Sequence, residues 1–346
     1  MKRRETLRQK LVILVVLLLT ASTGLLAQNA DTEKSIFDIM NYKEVLQLRL
    51  EIDVESLQNE RRIEEYRKGV LTFEDVEGIE QRWNVKAKPR GNFRRMLCEM
   101  TPLKIKWKKA DLAAAGLADF NDVKLVTSCL ENKWEAKELL AKEYLAYKMY
   151  NELTPNSFRV QFVKIIYVDV NSGKKSRRWG FLIEDTAQLA ARMQAKKVEG
   201  FNFPRNIFHR NSLKLTALFQ YVIGNEDWNL RHQRNVKFFE KNGKIIPVPY
   251  DFDFSGLVSA PYALPNTDYG LKSVKDRIYL GFELNASELH SMVAYFGRKQ
   301  DDFEEIIDTN SLLLSEDKDV LKAYLAAYFA HEDEIQFFLG GVVASK

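Results

Sequence analysis

YVIGNEDWNLRHQRNVKFFEKNGKIIPVPYDFDFSG, residues 221–256, contains two apolar runs, 236–240 and 245–250, on either side of Asn242-Gly243. Asn-Gly between two apolar runs is the strongest short-range signal for a β-hairpin, because both residues accept the positive φ angles of a type I′ turn. The sequence therefore predicts a two-stranded hairpin in this stretch.

The two prolines of the second run provide a test of the hairpin register. With Asn-Gly at the centre of a two-residue turn, Pro247 faces Phe238 and Pro249 faces Val236. Both pairs are then non-hydrogen-bonded, and a proline at such a position removes no bond from the ladder. The predicted register is therefore compatible with both prolines.

Oxygen-bearing side chains gather at the open end of the predicted hairpin. Asn235 lies beside Asp251, Asp253 follows one alternation further, and the loop from Asp227 enters at the same end. Carboxylate and amide oxygens suit Mg²⁺ or Mn²⁺, which also bind phosphate oxygens. The alternative is that Asp227 and Asn225 cap a turn while the other two aspartates are solvated.

Periodicity along the chain predicts a β-rich part followed by a mainly helical part. Alternating runs predict strands at 45–56, 82–88, 103–108, 123–129, 159–170 and 178–183, and helical spacing predicts helices at 133–153, 212–223 and 317–338. This order is compatible with an α+β, protein-kinase-like two-lobed fold. Its β-rich N-lobe would cover 28–185 with one inserted helix, and its helical C-lobe would cover 186–346 and carry the hairpin.

The N-terminus has the pattern of a secretory signal. Basic residues at the start precede the apolar core LVILVVLLL, and small residues lead to a plausible cleavage point after Ala27. The core is too short to indicate a stable membrane span, although an uncleaved anchor is the alternative. We therefore expect residues 1–27 to be a signal peptide and the mature protein to be periplasmic or secreted.

The positive charge of the chain belongs to this predicted signal. The whole sequence carries +4 at neutral pH, and residues 1–27 hold five Lys or Arg and one Glu, which is also a net +4. The remainder is therefore neutral overall. We expect no nucleic-acid partner, since such proteins display strong positive charge.

Two cysteines, Cys98 and Cys129, occur in the sequence. In an oxidising compartment they can pair, which closes a loop of about 30 residues and stabilises the fold by about 3 kcal/mol in the chain-entropy model. Two buried free thiols are the other reading. The sequence favours neither.

The chain resembles the CotH family of spore-coat, atypical kinases. Residues 224–228 read GNEDW and precede an Asn and an Asp-x-Asp, which is similar to the family pattern. Upstream, Arg90-Gly91-Asn92-Phe93, the run KLVTSC followed by KEYLAYKMYNEL, and the segment 179–185 resemble the family in the same order. The resemblance covers roughly residues 85–260.

The resemblance implies a kinase that uses ATP and Mg²⁺ or Mn²⁺. It implies that Asp227 orients the hydroxyl nucleophile, while Asn235, Asp251 and Asp253 hold the metal on the phosphates. The interval between Asp227 and Asn235 is longer than in the family pattern. Either this loop bulges or another group, such as Asn229, takes a ligand role.

The resemblance also implies a nucleotide site in the β-rich part. The backbone at Gly91 would approach phosphate, Lys124 would contact the nucleotide phosphates, and Glu143 would pair with Lys124 from the following helix. Glu138 is the rival partner, but the two glutamates lie about 140° apart around a helix, so only one can face the cleft. Unremarkable surface charges are the alternative for the lysine and the glutamate.

Three functions are compatible with the sequence. The first is an exported phosphotransferase acting on a protein or another hydroxyl-bearing substrate. The second is a pseudokinase or envelope binding module, which the long loop after Asp227 favours. The third is a nucleotide-sugar glycosyltransferase that uses the DxD of Asp251 and Asp253, against which stands the absence of a βαβ series upstream in the sequence.

Overall fold

The computed structural model describes residues 33–91 and 93–330. The predicted signal peptide, 1–27, and the end of the predicted helix 317–338 lie outside the described residues. Among the helices that are described, none combines the length and the apolar composition that crossing a membrane requires.

Seven strands of the first half form a closed β-barrel. Its strands are β1 Val45–Ile52, β2 Arg67–Glu74, β3 Glu80–Pro89, β4 Leu103–Trp107, β5 Asp122–Thr127, β6 Val160–Asp169 and β7 Lys175–Ile183. They are ordered β1-β2-β3-β4-β5-β7-β6 around the barrel. Neighbouring strands are antiparallel except β1 and β6, whose parallel pairing closes the barrel from Val45↔Phe162 to Ile52↔Asp169.

The closed barrel overturns the predicted fold class. A protein-kinase-like two-lobed fold with a β-rich N-lobe was expected, and that prediction is wrong, because the strands close on themselves through β1 and β6. Closure pairs strands that are far apart in the chain. Local periodicity identifies strands but carries no information about such a pairing.

The barrel is filled by the apolar side chains of one face of each strand. In β1, Leu46, Leu48, Leu50 and Ile52 are buried and alternate with more exposed residues, which is the period-2 pattern expected of a strand with one face in a core. Trp107 contributes one of the largest fully buried side chains. The barrel therefore has a packed interior.

Short helices precede or connect the early strands, and one long helix packs on the barrel. The short ones are α1 Ile36–Met40, α2 Val54–Asn59, α3 Phe93–Leu97 and α4 Lys109–Ala114. The long helix, α5 Lys133–Leu153, has the predicted bounds. Asn132 caps its N-terminus, since the Asn132 side chain accepts a hydrogen bond from the backbone N–H of Trp134. Its Tyr144 ring lies 5.5 Å from the ring of Phe162 on β6.

The rest of the described chain is mainly helical and carries a small sheet. Its elements are α6 Thr186–Met193, β8 Lys196–Val198, α7 Arg210–Val222, β9 Val236–Lys241, β10 Lys244–Pro249, α8 Ala286–Gly297, α9 Gln300–Asp308 and α10 Ser315–Phe329. The sheet has the order β10-β9-β8. The boundary predicted at residue 185 stays a prediction.

The β9–β10 hairpin has the predicted register. Lys241 pairs with Lys244, Phe238 with Pro247, and Val236 with Pro249. Asn235 and Tyr250 extend this register, since the Tyr250 N–H donates to the Asn235 carbonyl at 3.1 Å. The open end of the hairpin therefore brings Asn235 beside Asp251, as the sequence predicts.

One apolar core joins α5, α7 and the hairpin. The Tyr150 ring of α5 lies 4.9 Å from the Phe219 ring of α7, and Phe252, which follows β10, lies 4.7 Å from Tyr147. Because these rings are buried, the helix and the hairpin are held together where their polar residues meet.

A disulfide joins Cys98 to Cys129. Cys98 follows α3 directly, and Cys129 lies in the loop between β5 and α5. The bond therefore ties the short helix to the entrance of the long one. Of the two readings that the sequence left open, the structure has the paired one.

Candidate functional site

Three carboxylates from two parts of the chain lie close together next to the open end of the β9–β10 hairpin. Glu143 of α5, Asp251 and Asp253 each place one carboxylate oxygen within 4.8 Å of the others. Glu143 and Asp253 are almost wholly buried, at 2 % and 4 % exposure. Oxygen ligands at such mutual distances suit a divalent cation.

The backbone around the hairpin end has an uncommon conformation. Asn235 and Asp251 have φ angles of 51° and 66°, in the left-handed region that few side chains other than Asn and Asp adopt. The Asp251 N–H donates to the Tyr147 hydroxyl at 2.8 Å, which fixes this backbone against α5. Such conformations concentrate at functional sites.

Arg94 of α3 is the cation that meets the carboxylates. Its guanidinium donates to Glu143 Oε2 at 2.5 Å and to Asp253 Oδ2 at 2.9 and 3.1 Å, and the Tyr262 hydroxyl donates to the same Asp253 oxygen. With all three carboxylates ionised, one guanidinium leaves a net charge of −2. A divalent cation would balance that charge.

One carboxylate oxygen of the cluster has no hydrogen-bond partner. Glu143 Oε1 is buried and unpaired within the described part of the chain. Leaving a buried charged acceptor unsatisfied costs free energy, so such atoms point to a missing ligand. The residues present therefore fit a divalent cation, to which Glu143, Asp251 and Asp253 would each offer one carboxylate oxygen.

Burial makes ionisation of the cluster unfavourable. It raises the pKa of Glu143 to about 8, a shift that Arg94 opposes and the charges of Asp253 and Asp251 increase. Burial also raises the pKa of Asp251, again with Asp253 adding to the effect. Burial alone would lower the pKa of Arg94, but the carboxylates of Asp253 and Glu143 hold it well above its ordinary value. Without a further cation, the cluster retains a proton near neutral pH.

Asp227 and Asn235 are joined directly. The Asn235 amide Nδ2 donates to the Asp227 backbone carbonyl at 2.6 Å and to Asp227 Oδ2 at 2.8 Å. Arg234 forms an ion pair with the other carboxylate oxygen of Asp227. Because Asn235 uses its amide nitrogen in this way, its Oδ1 is the atom that can bind a cation.

The long interval between these two residues forms a closed turn. Asn229 and Arg234 exchange two backbone hydrogen bonds of 3.0 Å, and Asn229 Oδ1 accepts from the His232 N–H. The extra residues are therefore accommodated as a bulge between Asp227 and Asn235. Asn229 uses its side-chain oxygen within that turn.

An open cleft of about 360 Å³, called here the acidic cleft, lies over the carboxylates. It is lined by Arg90, Gly91, Phe93, Arg94, Pro102, Val126, Asp227, Arg234, Asn235, Tyr250, Asp251, Asp253 and Phe254. Five of the seven residues predicted for the site thus line one cleft. Glu143 does not line the cleft but contacts Arg94, which does. The positive φ of Gly91, 80°, is the conformation that favours glycine there.

Lys124 forms no ion pair with Glu143, Asp251 or Asp253. Its Nζ donates to Thr186 Oγ1 at 2.9 Å and sits 4.8 Å from the centre of the Phe158 ring. Burial, with Arg90 nearby, lowers the pKa of Lys124 to about 7. The expected pair between Lys124 and Glu143 is therefore corrected, since Glu143 pairs with Arg94 instead.

Sequence reasoning missed Arg94, Tyr147 and Tyr262. Arg94 lies three residues after Gly91 and four before Cys98. A disulfide between Cys98 and Cys129 brings this segment close to the start of α5, so assuming that bond would have suggested Arg94 as a site residue. Nothing local distinguishes the two tyrosines, whose roles depend on contacts across the fold.

Comparison with known proteins gives distant similarities to solved structures, two of which are described below. No protein-family model matches the chain, and no curated protein matches it. A HipA–HipB toxin–antitoxin complex with operator DNA from Shewanella oneidensis MR-1 matches at 14% identity and a TM-score of 0.30, over 67% of this chain and 62% of that chain. The Rio2 kinase complex with ADP, Mg²⁺ and phosphoaspartate from Chaetomium thermophilum matches at 10% identity and a TM-score of 0.27, over 82% and 75%. This chain thus spans less than two thirds of the first of these structures.

Proposed function

We propose that the protein is an exported phosphotransferase that uses ATP with Mg²⁺ or Mn²⁺ at the acidic cleft. The observation that carries the proposal is the buried cluster of Glu143, Asp251 and Asp253, which has an unpaired oxygen and, when all three carboxylates are ionised, a net charge of −2 together with Arg94. Hard divalent cations take such ligands and bring phosphate oxygens with them. The resemblance of the sequence to CotH proteins suggests the nucleotide.

Some residues of the cleft would bind the metal ion, and others would bind the acceptor and the phosphates. Asp251, Asp253 and the Oδ1 of Asn235 would hold the cation, and the unpaired Oε1 of Glu143 would join them as a ligand. Asp227 would accept a hydrogen bond from the acceptor hydroxyl, because its carboxylate is held at the cleft by Asn235. Arg90 and the backbone at Gly91 line the same cleft and would face the phosphates.

The acceptor would be a hydroxyl group of a protein or of a smaller molecule. The cleft is open, and Arg234 lines it together with the carboxylates, so it would offer a positive charge to an acceptor. Transfer of a phosphoryl group depends mainly on positioning and charge stabilisation, which an open charged cleft can supply. The predicted signal peptide supports a location of this activity in the periplasm or outside the cell.

Nucleotide binding without transfer is the second candidate. The ion pair of Asp227 with Arg234 favours it, because an aspartate engaged in this way is a weaker acceptor for a substrate proton. The ammonium of Lys124 donates to Thr186 and is not paired with Glu143, which also favours this candidate. A pseudokinase would keep the metal site and lose the transfer.

The test compares Asp251→Asn with Asp268→Asn, a control at an exposed aspartate outside the cleft. Thermal unfolding is measured with Mn²⁺, with Mn²⁺ and ATP, and with Mn²⁺ and a UDP-sugar, and phosphate release or transfer is measured in parallel. We expect Mn²⁺ and ATP to stabilise the wild type and Asp268→Asn but not Asp251→Asn.

The outcomes separate the candidate functions. Transfer that depends on Asp251 supports the phosphotransferase, and binding without transfer over several metals and acceptors supports the pseudokinase. If Mn²⁺ and ATP stabilise the wild type and Asp251→Asn equally, neither the phosphotransferase nor the pseudokinase is supported. Stabilisation by a UDP-sugar in preference to ATP would instead favour sugar transfer.

A further inference from the structure

A second charged cavity lies far along α5 from the carboxylates. It has a volume of about 340 Å³ between the first turns of α5 and the β6–β7 hairpin. We call it the Trp–Lys patch and define it by Lys133, Trp134, Lys137, Lys164, Arg177 and Trp179. Nothing in the proposed phosphotransfer uses these residues.

The four cations of the Trp–Lys patch form no ion pair within the described residues. Arg178 at its border pairs with Glu99 at 2.7 Å. Lys133, Lys137, Lys164 and Arg177 form no ion pair with any residue in 33–91 or 93–330. A protein that collects unpaired positive charges in one concave place bears their mutual repulsion, which an anionic partner would relieve.

The two tryptophans give the patch an apolar component. The ammonium groups of Lys137 and Lys164 lie 5.5 and 5.4 Å from the centre of the Trp179 ring, which holds both charges beside it. Trp134 is 75% exposed, although a tryptophan of a folded protein is usually covered to a large extent. The patch therefore offers a projecting aromatic ring next to fixed positive charges.

The β6–β7 hairpin extends the positive charge beyond the cavity. Lys174 and Lys175 are exposed near its turn, and Val170 beside that turn is 58% exposed. From Trp179 to Lys175 the strand spans about 13 Å at the usual rise per residue. This row is longer than one phosphate group, so it suits a surface that presents several anions at once.

We propose that the Trp–Lys patch binds the phosphate headgroups of an anionic membrane surface. Tryptophan rings prefer the headgroup level of a bilayer, and lysine and arginine near an anionic leaflet add favourable electrostatic energy. Trp134 enters the headgroup layer while Lys137, Lys164 and the hairpin cations contact lipid phosphates. The proposal does not depend on the acidic cleft, and it makes the protein peripheral to a membrane.

The test measures co-sedimentation of the full-length mature protein with vesicles of neutral phosphatidylcholine and with vesicles that contain phosphatidylglycerol. The protein should bind the anionic vesicles, with an affinity that falls as salt rises. Lys137→Gln with Lys164→Gln should lower binding about 25-fold, at about fivefold for each lysine near an anionic surface. Lys86→Gln with Lys106→Gln, a facing pair on β3 and β4, is the matched charge control and should retain full binding.

A second pair of variants tests the aromatic component. Trp134→Ala should weaken vesicle binding, whereas Phe201→Ala, at an equally exposed ring elsewhere, should not. Equal binding to both kinds of vesicle, or equal loss in patch and control variants, would overturn the proposal. So would abolition of binding by millimolar inorganic phosphate, which indicates a small-ion site, or preferential binding to a soluble acidic polysaccharide.

Discussion

Replacing Arg94 with methionine removes the guanidinium that contacts Glu143 and Asp253. The Arg94 side chain is 9% exposed, so its loss leaves buried carboxylates without compensation. Removing one partner of a buried ion pair costs about 3–5 kcal/mol. With an unfolding entropy of about 0.7 kcal/mol/K for a chain of this length, the melting temperature should fall by about 4–7 °C in a metal chelator.

Divalent cations should restore much of this loss. Without Arg94 the ionised cluster carries −3 instead of −2, so Mn²⁺ should bind the variant more tightly and raise its melting temperature by more than it raises that of the wild type. The assay is thermal unfolding at pH 8 in chelator and over a series of Mn²⁺ concentrations. Arg178→Met, which breaks the half-exposed pair with Glu99, is the control and should shift the melting temperature little.

Two results would refute this reasoning. If Arg94→Met is as stable as Arg178→Met in chelator, the buried carboxylates do not depend on the guanidinium. If Mn²⁺ stabilises Arg94→Met no more than the wild type, the three carboxylates do not form a cation site, and the proposed function loses its supporting observation.

Three further predictions concern buried groups and the disulfide. The pKa of Glu143, raised to about 8 from 4.5, means that metal-free wild type should lose stability as pH rises from about 4.5 to 8, and Glu143→Gln should flatten this profile in urea unfolding. The pKa of Lys124 is lowered to about 7 from 10.5, so the unfolding free energy should increase as the pH rises from about 7 to 10.5. Lys124→Met should abolish this increase in urea unfolding. Replacing Cys98 and Cys129 with serine should lower the unfolding free energy by about 3 kcal/mol, and reductant should then have no further effect.

Local patterns predicted the pieces of the site that lie close in sequence. The bounds of α5 follow from its apolar spacing, and the hairpin register follows from Asn242-Gly243. Once that register is known, Asn235 and Asp251 must be neighbours. These features depend on interactions between residues a few positions apart, which a single sequence displays.

Long-range pairings explain what the sequence did not predict. β2 was missed because Arg67–Glu74 is rich in charge, and β8 because three residues show no periodicity. Closure of the barrel and the contact of Arg94 with Glu143 join segments that only the folded chain brings together. Many lysines and arginines precede α5, and no local signal separates Arg94 from the rest.

The parallel pairing of β1 with β6 has a consequence for how the chain reaches its native state. β1 is made early, but its partner follows only after four more strands and α5. Until then both outer strands expose unpaired backbone groups, which invite association with other chains. Loop closure over such a distance is slow, so the unpaired edges of the barrel stay exposed to other chains until β6 pairs with β1.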